Sequence, residues 1–217
     1  MTQPDILQII AKYGIVPVIT IESVDAAIPL ADALLAGGLP LVEITFRTAA
    51  AADVIRRITA ERPELLVGAG TVLTEEHLKL AVDCGARFGV APGLNPQIVR
   101  LAQQAGLPFV PGVATPSEIE QGLSLGCQVL KFFPAEALGG LAMLQALAAP
   151  YAHTGVRFMP TGGVNLGNLR SYLAVPQVVA VGGTWLAKKE DLAAGRWQEI
   201  RDCCAEAIQV VSKLRAG

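Results

Sequence analysis

The chain has 217 residues, of which 52% are hydrophobic and 17% charged, and its formal net charge is −2. This length suits one domain with one core, and the near-neutral net charge gives no sign of the basic face that nucleic-acid binding needs. The apolar residues come in short runs broken by Gly, Pro or charge, all shorter than the roughly 20 residues that cross a bilayer. We therefore predict neither a nucleic-acid partner nor a membrane partner.

The cysteines and histidines indicate the cellular compartment of the protein and whether it binds a metal. The four cysteines show no CxxC spacing, which is typical of free thiols in a reducing compartment. The N-terminal segment mixes acidic and basic residues and lacks the apolar core of a signal peptide, so we expect a cytoplasmic protein. Because the only histidines, His77 and His153, are far apart in the chain, we predict no metal site and no other cofactor.

Eight β-type runs recur along the chain, separated by amphipathic segments that are typical of helices. A leading helix is predicted at about 4–12 and a long closing helix at about 190–214. In chain order the predicted strands are IVPVIT (15–20), LVEITF (41–46), LLVGAG (65–70), RFGVAP (87–92), PFVPGV (108–113), QVLKFF (128–133), VRFMP (156–160) and VVAVGG (178–183).

The helical segments carry start and stop signals. Thr115 precedes Pro116 and, with Glu118, forms the sequence pattern of a capping box. Pro29 lies inside the segment 23–36, where it removes a helical hydrogen bond, so a kink or a late helix start is expected. Helix-ending glycines follow four segments: Gly38, Gly85, Gly106 and Gly126.

Eight successive βα units without a linker favour an α/β fold, namely a single-domain (β/α)8 TIM barrel over residues 1–217 with an N-terminal helix. The glycine fingerprint of a dinucleotide-binding fold is missing, because GAG at 68–70 is followed by TVL rather than by a third glycine. An open flavodoxin-like sheet is the alternative if one or two of the strand predictions are wrong.

Lys131 lies inside the apolar strand QVLKFF. Strand alternation places Lys131 on the face opposite Leu130 and Phe132. If those two side chains pack on the helices, Lys131 points into the barrel. Burying an ammonium group is costly, so an inward lysine tends to lose its proton and becomes a nucleophile towards carbonyl groups. The alternative is a lysine near the strand end whose stem carries its charge to water.

Glu43 shares the inward face of the second predicted strand with Thr45 and is suited there to passing protons. The alternative role is a structural ion pair with Arg47 or Lys131. Because Glu43 and Arg47 would be about 13 Å apart along an extended strand at ~3.3 Å per residue, Arg47 is predicted at the rim. Its guanidinium can bind a carboxylate there.

The last two strands end in glycine pairs, Thr-Gly-Gly at 161–163 and Gly-Gly-Thr at 182–184. In (β/α)8 enzymes a phosphate often binds on backbone N–H groups of the loops after strands 7 and 8. Glycine lets that backbone approach an anion closely. The two pairs together therefore indicate a phosphate site, although either pair alone is a common turn.

These motifs closely resemble the class I 2-keto-3-deoxy-6-phosphogluconate (KDPG) aldolases, also called KHG/KDPG aldolases. The resemblance covers nearly the whole chain, through IVPVI, VEITFRT, VGAGTVL, APGLNP, FVPGVATPSE, LKFFPAE, MPTGGV and VGGTWL in order. LKFFPAE and VGAGTVL are specific, and the glycine motifs are less so. The resemblance implies a barrel fold, no metal, and a cytoplasmic homotrimer.

The resemblance also implies roles for individual residues. Lys131 matches the Schiff-base lysine and Glu43 the general acid and base. Positions that bind or surround the pyruvyl group are matched by Arg47, Thr71, Pro92, Phe133 and Thr161. The phosphate-binding loops are matched by Gly162, Gly163, Gly183 and Thr184. Thr184 stands where relatives often have Ser, and because its hydroxyl is kept we expect phosphate binding to survive.

The implied reaction is reversible cleavage of KDPG to pyruvate and D-glyceraldehyde 3-phosphate. 4-Hydroxy-2-oxoglutarate (KHG), whose cleavage to pyruvate and glyoxylate needs no phosphate site, is a candidate second substrate. The group that acts on the galactonate epimer is less similar, because Arg47 and Pro160-Thr161 fit the gluconate pattern better. Two further alternatives are an isomerase or epimerase, with Glu43 as base and Lys131 purely electrostatic, and a non-catalytic barrel that binds a phosphorylated sugar.

Overall fold

The computed structural model describes residues 3–215 and has an α/β fold in which paired strands run parallel. The strands in these residues are β1 (Ile15–Ile19), β2 (Leu41–Thr45), β3 (Leu66–Gly70), β4 (Phe88–Val90), β5 (Phe109–Val110), β6 (Gly112–Val113), β7 (Val129–Phe132), β8 (Arg157–Phe158) and β9 (Val181–Gly183). The α-helices are α1 (Gln3–Tyr13), α2 (Ala27–Ala36), α3 (Ala51–Glu61), α4 (Glu75–Asp83), α5 (Pro96–Gln104), α6 (Pro116–Ser124), α7 (Gly140–Ala148), α8 (Leu166–Leu173), α9 (Lys189–Ala193) and α10 (Trp197–Arg215). Short 3₁₀ helices lie at Val24–Ala26, Glu136–Leu138 and Ala149–Thr154.

The strands form two sheets, one ordered β5-β4-β3-β2-β1-β9 and the other β6-β7-β8. In the larger sheet β1 to β5 lie side by side in chain order, as β6 to β8 do in the smaller one, and β9 pairs with β1. This order differs from the 2-1-3-4-5 order of flavodoxin-like sheets, so the sheet topology does not favour that alternative. β5 and β6 are two halves of the predicted strand 108–113, separated at Pro111, which has no N–H to give to a strand ladder.

The strand faces follow the alternation expected from the sequence. Leu130 packs against α6, because a Cβ atom on Gly122 of that helix would lie 2.8 Å from Leu130 Cδ2. Lys131 points the other way and meets Glu43 of β2 at the interior. β2 and β3 are buried on both faces, and every one of their residues is buried. Continuous apolar runs are what such a covered parallel sheet requires.

Helix boundaries confirm some signals and correct one. Thr115 and Glu118 form the predicted capping box at the start of α6. α2 begins at Ala27, so Pro29 lies in its first turn, where a missing N–H costs nothing because that N–H has no intrahelical acceptor. The single closing helix predicted at 190–214 is wrong. Gly195 adopts a φ of +65° and divides it into α9 and α10.

The first and last helices are tied together at their ends. Ile6 and Ile10 of α1 are buried in the same apolar cluster as the strands. Arg215, at the end of α10, donates to the carbonyl oxygens of Ala11 and Lys12, which belong to the unpaired last turn of α1. No helix within residues 3–215 is long and apolar enough to cross a membrane.

Candidate active site

One cavity of about 220 Å³ lies at the carboxyl ends of the strands. Its lining comes from three strands and from the loops that follow six of them: Val18, Glu43, Thr45, Arg47, Thr71, Pro92, Lys131, Phe133, Thr161, Gly162 and Thr184. Every site residue predicted from the sequence is in this set except Gly163 and Gly183. Val18 was not anticipated, since an apolar residue inside a strand carries no signal of a site.

Three larger hollows, of about 300, 360 and 610 Å³, lie near the amino ends of the strands. Their charged residues, including Lys12, Glu64, Arg87 and Arg157, are exposed. The smaller cavity is different because its lining contains a buried acid and a buried base. Buried, convergent titratable groups in a cleft are the physical signature of an active site.

Lys131 and Glu43 form a buried ion pair at the base of this cavity. Lys131 Nζ lies 3.4 Å from Glu43 Oε1, and the two side chains are 6% and 1% exposed. The second carboxylate oxygen, Oε2, has no hydrogen-bond partner in the described structure. The Phe133 ring flanks the amine, with its centroid 5.6 Å from Nζ. One carboxylate oxygen thus holds the amine while the other has unused acceptor capacity.

Glycines on β3 make room for neighbouring side chains, one of which is Glu43. Gly70 pairs with Thr45 of β2, and a Cβ atom at position 70 would lie 2.2 Å from Glu43 Oε1. Gly68 pairs with Glu43 itself, and a Cβ there would lie 2.3 Å from the Phe88 ring. The glycines of the VGAG motif therefore accommodate neighbouring side chains, a role that their spacing alone did not indicate.

Arg47 is exposed at the rim and is held by a hydroxyl group. The Thr45 hydroxyl donates its only proton to the Ile19 carbonyl oxygen, at 3.1 Å. Its lone pairs therefore accept from Arg47 Nε at 3.1 Å and from the Thr20 hydroxyl at 3.0 Å. This anchors the guanidinium by Nε and leaves its two terminal nitrogens available for a carboxylate.

Thr71 follows β3 in a left-handed backbone conformation, with a φ of +59°. It is the only non-glycine residue between positions 3 and 215 with a positive φ. A β-branched residue is rarely found there, because its Cβ crowds the following carbonyl oxygen. Such backbone strain concentrates at functional sites, and here it occurs at a half-buried residue that lines the cavity.

The two predicted glycines outside the cavity lining have packing roles. A Cβ on Gly183 would lie 2.2 Å from the Trp185 ring, and a Cβ on Gly163 would lie 2.5 Å from Glu136 Cβ. By contrast Gly162, at a φ of +96°, borders the cavity directly. Neither the Gly162 nor the Gly163 N–H donates to a backbone carbonyl within residues 3–215.

The cysteines do not supply a competing nucleophile. All four are free thiols, and none of them lines the cavity. Burial raises the pKa of Cys127 to about 11 and the pKa of Cys204 to about 12, so these thiols stay protonated and unreactive near neutrality. In the described part of the chain, no three His, Cys, Asp or Glu side chains are grouped to hold a metal ion.

A family model described as KDPG and KHG aldolase matches residues 6–203. The chain belongs to this family. It is 47% identical to the 2-dehydro-3-deoxy-phosphogluconate aldolase of Haemophilus influenzae, over 97% of this chain and 98% of that one. Among solved structures, a KDPG aldolase from Legionella pneumophila with pyruvate captured as a covalent carbinolamine intermediate superposes with a TM-score of 0.88, at 38% identity over 92% and 96% of the two chains. The Zymomonas mobilis KDPG aldolase with 3-phosphoglycerate gives a TM-score of 0.86, at 38% identity over 95% and 96%.

Because the backbone at Thr71 is strained, a glycine at this position should not destabilise the protein as glycine usually does. Thr71→Gly should leave the free energy of unfolding unchanged or raise it. Glycine relieves about 1–2 kcal/mol of left-handed strain in the folded state, whereas the extra freedom that it gives the unfolded chain destabilises the protein by only about 0.4–1 kcal/mol. Thr184→Gly is the matched control, because Thr184 borders the same cavity without a positive φ. Urea unfolding should show a loss for Thr184→Gly only, and equal losses in both variants would contradict the strain at position 71.

Proposed function

We propose that this family member is a class I aldolase, a lyase that reversibly cleaves KDPG to pyruvate and D-glyceraldehyde 3-phosphate. The observation that carries the proposal is the buried Lys131–Glu43 pair at the base of the cavity. A carbinolamine, as captured in the Legionella enzyme, joins a carbonyl carbon to an amine nitrogen. Lys131 provides the only lysine amine in the cavity lining.

The first half of the mechanism forms the Schiff base. Glu43 takes a proton from Lys131, and the neutral amine attacks the C2 keto carbon of the substrate. The carbinolamine then loses its hydroxyl group as water, with Glu43 supplying the proton. A single carboxylate can serve both steps because its Oε1 lies 3.4 Å from the amine and its Oε2 is unpartnered.

The second half breaks the carbon–carbon bond. Glu43 removes the proton of the C4 hydroxyl group, the C3–C4 electron pair moves into the iminium, and glyceraldehyde 3-phosphate leaves as the aldehyde. The resulting enamine is protonated at C3, and water hydrolyses the iminium to release pyruvate and restore the amine.

The two ends of the substrate are assigned to opposite parts of the cavity. We propose that Arg47 and Thr71 bind the carboxylate, with Pro92, Phe133 and Thr161 around the pyruvyl group. The phosphate is assigned to the loops that contain Gly162, Gly163, Gly183 and Thr184. Free N–H groups at Gly162 and Gly163 support this, since backbone donors in a glycine turn bind anions well.

Reductive trapping tests the covalent step. Borohydride added with excess pyruvate should leave one reduced pyruvyl group on Lys131, located by peptide mass spectrometry. Lys131→Met should show no adduct, whereas Lys189→Met should be modified like the parent protein. Lys189 is a suitable control because it also pairs with a glutamate, Glu22, but on the surface. An unmodified parent protein would count against the aldolase and in favour of an isomerase or a binding protein.

The Thr45 hydroxyl should control carboxylate binding through Arg47. Thr45→Val removes the acceptor for Arg47 Nε and should raise the pyruvate concentration for half-maximal trapping by about tenfold, since hydrogen bonds to charged groups contribute about 1.5–3 kcal/mol. Thr45→Ser keeps the hydroxyl and should restore most of the affinity. If the Val and Ser variants bind pyruvate equally, the hydroxyl does not position Arg47.

Substrate breadth is best tested by comparing the rates on KDPG, its C4 epimer and KHG. We expect KDPG to be preferred over the epimer, and KHG to be cleaved with a higher KM because it lacks the phosphate. A higher kcat/KM on the C4 epimer would reassign the protein to the galactonate group.

We also propose that residues 1–217 form a single closed (β/α)8 barrel. On one side the two sheets are joined by the chain itself, because β6 follows directly after β5 and Pro111. On the other side, parallel bridges from Phe158 to Val178 and from Thr161 to Gly182 support closure. Slow hydrogen exchange of the Val179 and Gly182 amides, which donate to Phe158 and Pro160, would support it, and fast exchange would oppose it.

For assembly we propose a cytoplasmic homotrimer. Family resemblance suggests the trimer, and exposed apolar side chains in and before α4, namely Leu73, Leu80 and Val82, are the kind that subunit contacts bury. Four free thiols fit a reducing compartment. Light scattering should give three times the 22.7 kDa chain mass, and a monomer mass would rule the trimer out.

A further inference from the structure

Glu136 lies between the loop after the lysine strand and the glycine loop after β8. Its N–H donates to the Gly162 carbonyl at 3.0 Å. Its side-chain stem lies against Gly163, where a Cβ atom would be 2.5 Å from both Glu136 Cβ and Cγ. The acidic side chain is therefore packed beside Gly163, and its backbone is bonded to Gly162, another of the glycines assigned to phosphate. A carboxylate free to turn towards that loop would repel the phosphate.

Tyr172 of α8 holds that carboxylate. The ring is 1% exposed, and its hydroxyl donates to Glu136 Oε1. Gly140, at a φ of +63°, gives the pair space, since a Cβ there would lie 3.1 Å from Glu136 Oε1 and 3.5 Å from the Tyr172 hydroxyl. The carboxylate is thus directed towards the start of α7 and the end of α8.

The phenol is a permanent donor in this arrangement. Burial raises the pKa of Tyr172 well above its ordinary value, and the hydrogen bond and charge of Glu136 raise it further. Tyr172 consequently stays protonated throughout the neutral range. The carboxylate accepts a charge-assisted hydrogen bond, which is stronger than a neutral one.

We propose that Tyr172 is a positioning residue for phosphate recognition, because its hydroxyl ties the Glu136 carboxylate to α8 and keeps that negative charge away from the glycine loop. This inference rests on the proposed function, which assigns the phosphate to that loop. The phenol acts on the substrate only through Glu136. Removing the Tyr172 hydroxyl frees the charged Glu136 carboxylate to turn towards the glycine loop. Replacing Glu136 with an uncharged residue leaves no negative charge for Tyr172 to restrain.

Three variants separate this electrostatic role from simple packing. Tyr172→Phe should raise KM for KDPG by about three- to tenfold, the effect of one freed like charge near a partly exposed anion site, with little change in kcat. Its KM for the unphosphorylated KHG should stay within twofold. Glu136→Gln keeps an acceptor for the phenol without the charge and should not raise KM for KDPG. Adding Glu136→Gln to Tyr172→Phe should restore KM to near the parent value.

A second tyrosine–glutamate pair provides the control. Tyr151 donates to Glu120 Oε1 at 3.1 Å on the surface, and neither residue lines the cavity. Tyr151→Phe should leave KM unchanged for both substrates. Thermal unfolding of each variant reports how much stability is lost with the hydroxyl.

Two outcomes would overturn the inference. If the double variant is as impaired as Tyr172→Phe, the hydroxyl acts through packing and not through the charge of Glu136. If KM rises equally for KDPG and KHG, the effect is a general loosening of the site. Inorganic phosphate should compete for the same loop, and its affinity for each variant, measured by calorimetry, should rank the variants in the same order without turnover. Should pyruvate form no adduct with Lys131, the proposed aldolase fails, but the calorimetric series still decides the role of Tyr172.

Discussion

The buried contact between Lys131 Nζ and Glu43 Oε1 sets the conditions that the rest of the structure satisfies. Removing a cation and an anion from water costs several kcal/mol for each ion, and mutual attraction repays this only at short range and in good geometry. The two residues are 88 positions apart and belong to different sheets. Their approach therefore requires β2 and β7 to present facing interior sides at matching heights, and it requires Gly70 to leave space for the carboxylate.

Strand parity explains why the inward positions of Lys131 and Glu43 could be predicted from the sequence. Side chains along a strand alternate between its two faces with a period of two residues. Because Leu130 and Lys131 are neighbours in one strand, this alternation alone places them on opposite faces. The packing of Leu130 on α6 and the meeting of Lys131 with Glu43 agree with that reasoning. The strand order of the larger sheet agrees with the repeating βα pattern, since consecutive strands are neighbours.

Features that depend on contacts between distant residues could not be predicted in this way. Gly163 and Gly183 carry the local pattern of an anion-binding turn, yet each also accommodates a side chain, Glu136 and Trp185 respectively. The break in the closing helix depends on one glycine, Gly195, at a positive φ, and a glycine within a helical pattern does not by itself reveal its dihedral angles. Sequence identifies such positions as special without identifying the partner that makes them so.

The cavity is organised by hydrogen bonds and backbone strain that lie just behind the substrate-facing groups. At the end proposed for the substrate carboxylate, the Thr45 hydroxyl fixes Arg47 through Nε, and Thr71 is held at an unfavourable φ. Beside the loop proposed for the phosphate, the Glu136 carboxylate is restrained by the Tyr172 hydroxyl. Both ends thus reduce the freedom of a charged side chain before substrate arrives, which lowers the entropic cost of binding. In the proposed reaction the keto carbon must meet the Lys131 amine, and the precision of that approach would depend on both anchors and not on the lysine alone.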